Sequence, residues 1–285
     1  MKRFFAFGCS FTQYYWGTWA DIIAANYPDW EYHNFGQIGG GNQLILNRVM
    51  QADEYYNFTS NDVVMVQWTN VSREDRWVFD GYGNERWSAS GNIYVNDFFK
   101  DFVERYTCPE GFYLRDLPAI KAVQSLLDYK QCYQEHFTMV PIEQLDQYKT
   151  SPTPPSDMIK HLLDIYKPTL NRLKPSYYTT LFNSNWLSRT PRPLNVFDSR
   201  PGVPGPDPHP TPLEHLLYLD TVAPELAINS TTRALVEQET TRTLTMFGED
   251  NWRKVGDLHP LALNNTFNGK PLSTGIAGGG NNFIY

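Results

Sequence analysis

Short apolar runs alternate with stretches of helical spacing over the first seventy residues. Residues 2–7 place Phe4, Phe5, Ala6 and Phe7 in succession with no polar alternation, the pattern of a strand buried on both faces. A helix is predicted over residues 18–26 and a second strand over 31–35. That strand runs into Asn34-Phe35-Gly36-Gln37-Ile38-Gly39-Gly40-Gly41. Residues 43–51 return to helical spacing through Leu44, Leu46 and Val49. Residues 63–68 (Val-Val-Met-Val-Gln-Trp) fit a third, fully buried parallel strand. Strand, helix, strand, helix, strand is the order of an α/β fold: a doubly wound parallel sheet with right-handed crossovers.

Beyond residue 75 the pattern breaks into an aromatic, Gly- and Asn-rich stretch. Residues 76–115 are read as an insertion or lid over the carboxyl edge of the sheet. Helical spacing resumes at 116–137, residues 151–155 form a proline turn, and a further helix is predicted near 157–166. Residues 176–183 (Ser-Tyr-Tyr-Thr-Thr-Leu-Phe-Asn) read as another strand. The proline-dense segment 201–212 excludes regular structure, and residues 213–219 restart as a helix. After Ala223 a helix is predicted over 235–246, and residues 264–285 are rich in Gly and Asn. The chain therefore divides into an α/β domain, 1–222, and a C-terminal extension, 223–285, read as a docking segment on the surface or toward a neighbour.

Composition narrows the function classes. The 285 residues are 41% hydrophobic and 15% aromatic, enough for a sizeable core. A net charge of −7 argues against nucleic acid as the main partner, since phosphate binding needs a basic field. No apolar run is long enough to cross a membrane, and the apolar stretch after Lys2 and Arg3 is too short for a signal peptide, so synthesis in the cytoplasm is expected. Cys9, Cys108 and Cys132 have the spacing of neither a disulfide framework nor a zinc site. No cofactor or metal is expected. Tyrosines, phenylalanines and tryptophans number 18, 17 and 8; such an excess lines carbohydrate- or protein-binding surfaces, or simply makes a Tyr-rich exterior.

The candidate chemistry begins at Phe7-Gly8-Cys9-Ser10-Phe11-Thr12, where a buried strand ends in a turn that presents a hydroxyl at the sheet's carboxyl edge. Asp207-Pro208-His209-Pro210 supplies an imidazole with a carboxylate two residues away. The glycines of 36–41 allow a backbone N–H to approach a substrate oxygen, and Asn70, just past the third strand, adds a side-chain amide. Nucleophile, base, orienting acid and oxyanion donors would then meet at one edge. Cys9 is the rival nucleophile. Asp257-Leu258-His259 repeats the acid–histidine spacing and competes with Asp207 and His209. His215 reads as a helix-surface or supporting residue, and Arg73 as either a clamp for an anionic substrate group or a partner in an exposed salt bridge.

Gly8-Cys9-Ser10-Phe11-Thr12 resembles block I of the SGNH (GDSL) hydrolases. Asn34-x-Gly36-x-x-Gly39 resembles their block II, Trp68-Thr69-Asn70 their block III, and Asp207-Pro208-His209-Pro210-Thr211-Pro212-Leu213-Glu214-His215 their block V. The blocks stand in the family's order across residues 2–220. The resemblance implies a flavodoxin-like sheet, Ser10 as nucleophile, His209 as general base and Asp207 as the orienting carboxylate. It further implies an oxyanion hole from Ser10 N–H, Gly39 N–H and Asn70. Three departures stand out: Cys9 replaces a usual Asp, Trp68 replaces a usual Gly and narrows the pocket, and one residue rather than two separates Asp207 from His209. The opening block and the His-Pro-Thr-Pro-Leu-Glu-His turn look most like phage-encoded members. That implies a virion- or tail-associated deacetylase acting on acetylated carbohydrate, with 223–285 docking on virion or tail proteins. The alternative implied by the departures is an inactive structural or carbohydrate-binding component.

Overall fold

Phe4, Phe5, Ala6 and Phe7 have no exposed surface because β1 (Arg3–Gly8) lies inside a four-stranded parallel sheet. Its neighbours are β2 (Glu31–Gly36) on one side and β3 (Asp62–Trp68) on the other. In the computed structural model the described residues are 1–79, 85–93, 100–143, 154–182, 191–195, 205–248, 266–267 and 270–271. Register is set by Phe7 against Phe35 and Val66, so the chain leaves β1, β2 and β3 at the same edge.

Both sheet faces are covered, which explains the unbroken apolar runs. Phe4, Ala6, Val63 and Met65 pack with α1 (Trp19–Asn26) and α7 (Pro212–Val222). Phe5, Phe7, Val64 and Val66 face the other way, toward α2 (Asn42–Tyr56) and α4 (Pro109–Tyr129). Side chains alternate between faces along each strand, so residues 4–7 of β1 and 63–66 of β3 each meet a hydrophobic layer. The doubly wound α/β architecture is therefore present. On the first face α8 (Ser230–Met246) joins the core through Val236, and Asn26 Oδ1 accepts from Asn229 N at 2.9 Å.

Three expected elements differ. The helix expected at 116–137 starts earlier, at Pro109, and stops at Tyr129, where Gln131 takes a left-handed φ of 57° and reverses the chain. β6 (Tyr133–Thr138) follows and pairs with β3, giving the order β2-β1-β3-β6. Its polar Gln134, Glu135 and His136 hide it from a hydrophobicity reading. The strand expected at 176–183 is instead a wide helical turn over Tyr178–Phe182, started by Ser176 Oγ accepting from Thr179 N at 2.9 Å. That local hydrogen bond overrides the β propensity of Tyr-Tyr-Thr-Thr. The aromatic stretch holds an antiparallel pair, β4 (Arg73–Phe79) and β5 (Glu85–Asn92), and a short helix, α3 (Lys100–Tyr106). Two further helices, α5 (Asp157–Ile165) and α6 (Lys167–Leu170), cover the α4 side.

Close packing at the end of β1 makes Gly8 obligatory. A Cβ there would lie 2.1 Å from Thr12 Oγ1 and 3.1 Å from Gln67 Cβ. Gly8→Ala is expected to destabilise the fold by about 1–3 kcal/mol, the usual cost of overpacking, read as a lower denaturant midpoint at unchanged slope. An unchanged midpoint would show that the turn yields freely.

Candidate active site

The turn after β1 is drawn tight by Thr12 N and Gln13 N, which both donate to Cys9 O, at 2.9 and 3.1 Å. Thr12 then anchors it. Its Oγ1 donates to Gln67 Oε1 at 2.8 Å and accepts from Trp19 Nε1 at 3.2 Å. Its carbonyl accepts from Asn34 Nδ2 at 2.9 Å and from Thr18 Oγ1 at 2.7 Å. Asn34 is thus a brace for the serine turn. Cys9 is fully buried against Met139 and Val140, facing the interior, whereas Ser10 Oγ faces His209.

The histidine arrives on the segment before α7. Asp207 N donates to Pro193 O at 2.8 Å, and Arg192 donates to Asp207 O, His209 O and the Glu214 carboxylate at 3.1, 2.7 and 2.8 Å. Trp16 Nε1 donates to Pro210 O at 2.7 Å, and Thr211 and Glu214 close a capping box at the start of α7. So fixed, His209 Nε2 lies 2.9 Å from Ser10 Oγ, and Nδ1 lies 2.7 Å from Asp207 Oδ1. Asp207 is 1% exposed. A buried carboxylate needs donors, and it has three: His209 Nδ1, His209 N and Tyr14 OH, the last two at 2.8 Å.

Tyr14 was not singled out in the sequence, and no spacing marks it. Its ring stacks on the imidazole at 3.8 Å between centroids, with Phe11 edge-on from another side at 5.5 Å. Burial, reinforced by the charge of Asp207, drives the Tyr14 phenol far above its ordinary value, so it stays a neutral donor. His215 is buried rather than on the helix surface; burial lowers it to about 3, and its Nδ1 lies 2.9 Å from Tyr177 OH.

The other two strands deliver amides to the same edge. Asn70 is 2% exposed, and its Oδ1 accepts from Ser72 N and Ser72 Oγ at 2.6 and 2.5 Å. Its Nδ2 is buried without an acceptor among the described residues. Such a donor is costly unless a ligand oxygen meets it. Gly39 has φ 78°, a left-handed conformation that favours glycine, and its carbonyl accepts from Gly91 N at 3.0 Å. Trp68 does not narrow this edge: its indole is fully buried in the α4-side core and donates to His136 Nδ1 at 3.2 Å.

Two acidic residues missed in the sequence hold the glycine loop. Asp75 accepts from Gly41 N and Leu44 N at 2.8 and 2.9 Å, capping α2 from outside. Asn42 bridges, with Oδ1 accepting from Thr69 N at 2.9 Å and Nδ2 donating to Asp116 at 2.9 Å. The only available signal for Asp75 was an acid just after the third strand, a weak one. Asp257 and His259 lie outside the described residues. Among the described residues no group of three His, Cys, Asp or Glu is placed to hold a metal, and no helix is long and apolar enough to cross a membrane.

No family model and no curated protein matches the chain. Solved structures with a similar fold include a psychrotrophic esterase from Pseudoalteromonas sp., at 13% identity, covering 80% of this chain and all of that one, with a TM-score of 0.42. A GDSL-family lipolytic protein from Veillonella parvula follows at 12% identity, 78% and 98% coverage and TM-score 0.41. An acetylxylan esterase from Geobacillus stearothermophilus shows 12% identity, 80% and 95% coverage and TM-score 0.40. Likeness at this level leaves the chemistry to be argued from the chain's own residues.

Burial raises the Asp75 carboxyl to about 6 despite its two backbone donors. A folded-state value above the unfolded one means the folded protein binds the proton more tightly. The stability from this group is thus present at pH 4 and lost as pH rises toward 6. In Asp75→Asn that part of the decline should vanish, read from denaturant midpoints across pH 4–7. An identical pH slope in both proteins would contradict the assignment.

Proposed function

We propose that the chain is a serine esterase that hydrolyses acyl esters through a Ser10–His209–Asp207 relay. The observation that carries the reading is the row Ser10 Oγ, His209 Nε2 at 2.9 Å, and His209 Nδ1 to Asp207 at 2.7 Å. Asp207 accepts from Nδ1–H, which leaves the Nε2 lone pair to take the hydroxyl proton as Ser10 Oγ attacks the ester carbonyl. The proton then passes from Nε2–H to the departing alkoxide. Water repeats the sequence on the acyl-enzyme and frees the acid. The carbonyl oxygen gains charge in each tetrahedral intermediate, and the free Nδ2 of Asn70, with the Ser10 and Gly39 amides, supplies its donors.

The acyl group in this reading is acetyl, and the alcohol a carbohydrate. Support for the sugar comes from a cavity of about 560 Å³ between β4, α3 and α4, which sets Phe102, Tyr106 and Phe112 beside Arg76, Arg115 and Glu74. Arg76 and Arg115 cover the Phe102 and Phe112 rings at 4.1 and 5.3 Å, so the exposed Tyr106 is the lining ring on which a sugar would stack. The resemblance of the motifs to phage-encoded members extends the proposal to a virion- or tail-associated enzyme working on host surface polysaccharide.

Hydrolysis of 4-nitrophenyl acetate tests the chemistry. Ser10→Ala should abolish turnover, and Asn70→Ala should lower kcat by about 10²–10³, the usual loss for one oxyanion donor. Wild-type rates in Ser10→Ala would refute the relay.

A further inference from the structure

Arg73 opens β4 three residues after Asn70, and its N–H donates to Asn70 O at 3.2 Å. Its Nη1 donates to Gly40 O at 2.8 Å, next to Gly39. Its Nη2 rests 3.3 Å from Met139 Sδ. That sulfur in turn lies 3.8 Å from Cys9 Sγ, beside Ser10, and 3.6 Å from Thr69 Oγ1, beside Asn70. The guanidinium therefore reaches from the glycine loop to Met139, which packs beneath the Ser10 turn against Cys9 and beside Thr69.

Arg73, like Arg48, has no carboxylate partner, and what sets it apart from Arg48 is a guanidinium left partly unsatisfied. Its Nε is buried without an acceptor, and Gly40 O is its one oxygen partner among the described residues. The nearby carboxylates are committed elsewhere. Asp75 serves Gly41 N and Leu44 N; Glu74 serves Arg76 and Arg115; Asp116 serves Arg115, Asn42 and Gln43. Other partly buried arginines are better satisfied: Arg3 has Asp62, Arg192 has Glu214, and Arg48 has two carbonyls and the Gln37 amide oxygen. A half-buried guanidinium with free donors and no anion is an incomplete pair, and a carboxylate matches its fork.

We propose that Arg73 is the anion-recognition residue of this site and that the substrate is an O-acylated sugar acid. Its carboxylate pairs with the guanidinium while the neighbouring ester carbonyl lies over Ser10. This rests on the esterase reading: with a small acyl group, the negative charge must reside on the alcohol. The expectation of an exposed salt bridge for Arg73 is replaced by a cation kept for substrate.

The test compares 3-acetoxybenzoate with its methyl ester, which differ in the carboxylate charge, each corrected for uncatalysed hydrolysis. Wild type should favour the carboxylate by about tenfold or more in kcat/KM, chiefly through KM, as befits a charged hydrogen bond. In Arg73→Gln the ratio should fall to about one, with Arg73→Lys between. Were Arg73 only a strut for Gly40, its variants would slow both esters alike and leave the ratio unchanged, which would overturn the proposal. So would a wild-type ratio near one. If wild type cleaves neither ester, the esterase reading fails and binding decides this one. Calorimetry on Ser10→Ala should then show preference for trigalacturonate over xylotriose that Arg73→Gln removes. Equal or absent binding of the two sugars would refute it.

Discussion

One buried threonine ties the serine turn to three elements at once. Thr12 gives its hydroxyl to Gln67 on β3 and accepts from Trp19 on α1, and its carbonyl takes the Asn34 amide from β2. Gly8 and Gly36 permit this only because they lack a Cβ: one at Gly36 would sit 2.8 Å from Gln13 N. Those bonds fix the turn, and the 2.9 Å contact with His209 Nε2 fixes the direction of Ser10 Oγ. In the esterase reading, a hydroxyl placed this way costs no reorganisation when substrate arrives, which is how a preorganised site gains rate.

The same economy governs the proposed base. His209 lies between Tyr14 and Phe11, its ring nitrogens directed to Ser10 and Asp207, and its backbone is clamped by Arg192. Asp207 is buried, and three donors, Tyr14 OH, His209 N and His209 Nδ1, meet its side chain. On the chain after β3 two polar groups are left short of partners: Asn70 Nδ2 has no acceptor and Arg73 no anion among the described residues. In the esterase reading these two unsatisfied groups are the ones that meet substrate oxygens.

The sheet was legible because β1 and β3 are buried on both faces and read as apolar runs, with α1 and α2 between them in helical spacing. Ser10, Asp207 and His209 were legible because a turn after a strand and an acid–histidine pair are local patterns; the fold brings them within hydrogen-bond distance. β6 was not, since an edge strand with His136 buried behind Trp68 carries little hydrophobic signal. Tyr14, Asn42 and Asp75 were not legible either. Each acts through a partner far along the chain, and a lone Tyr, Asn or Asp carries no periodicity to mark it.

Whether Ser10 is an activated nucleophile is decided most directly by mapping a fluorophosphonate adduct by mass spectrometry. The account predicts one covalent adduct on the Ser10 peptide, forming about 10²–10⁴-fold more slowly in His209→Gln because the general base is gone. An unlabelled Ser10, or equal labelling without His209, would contradict it.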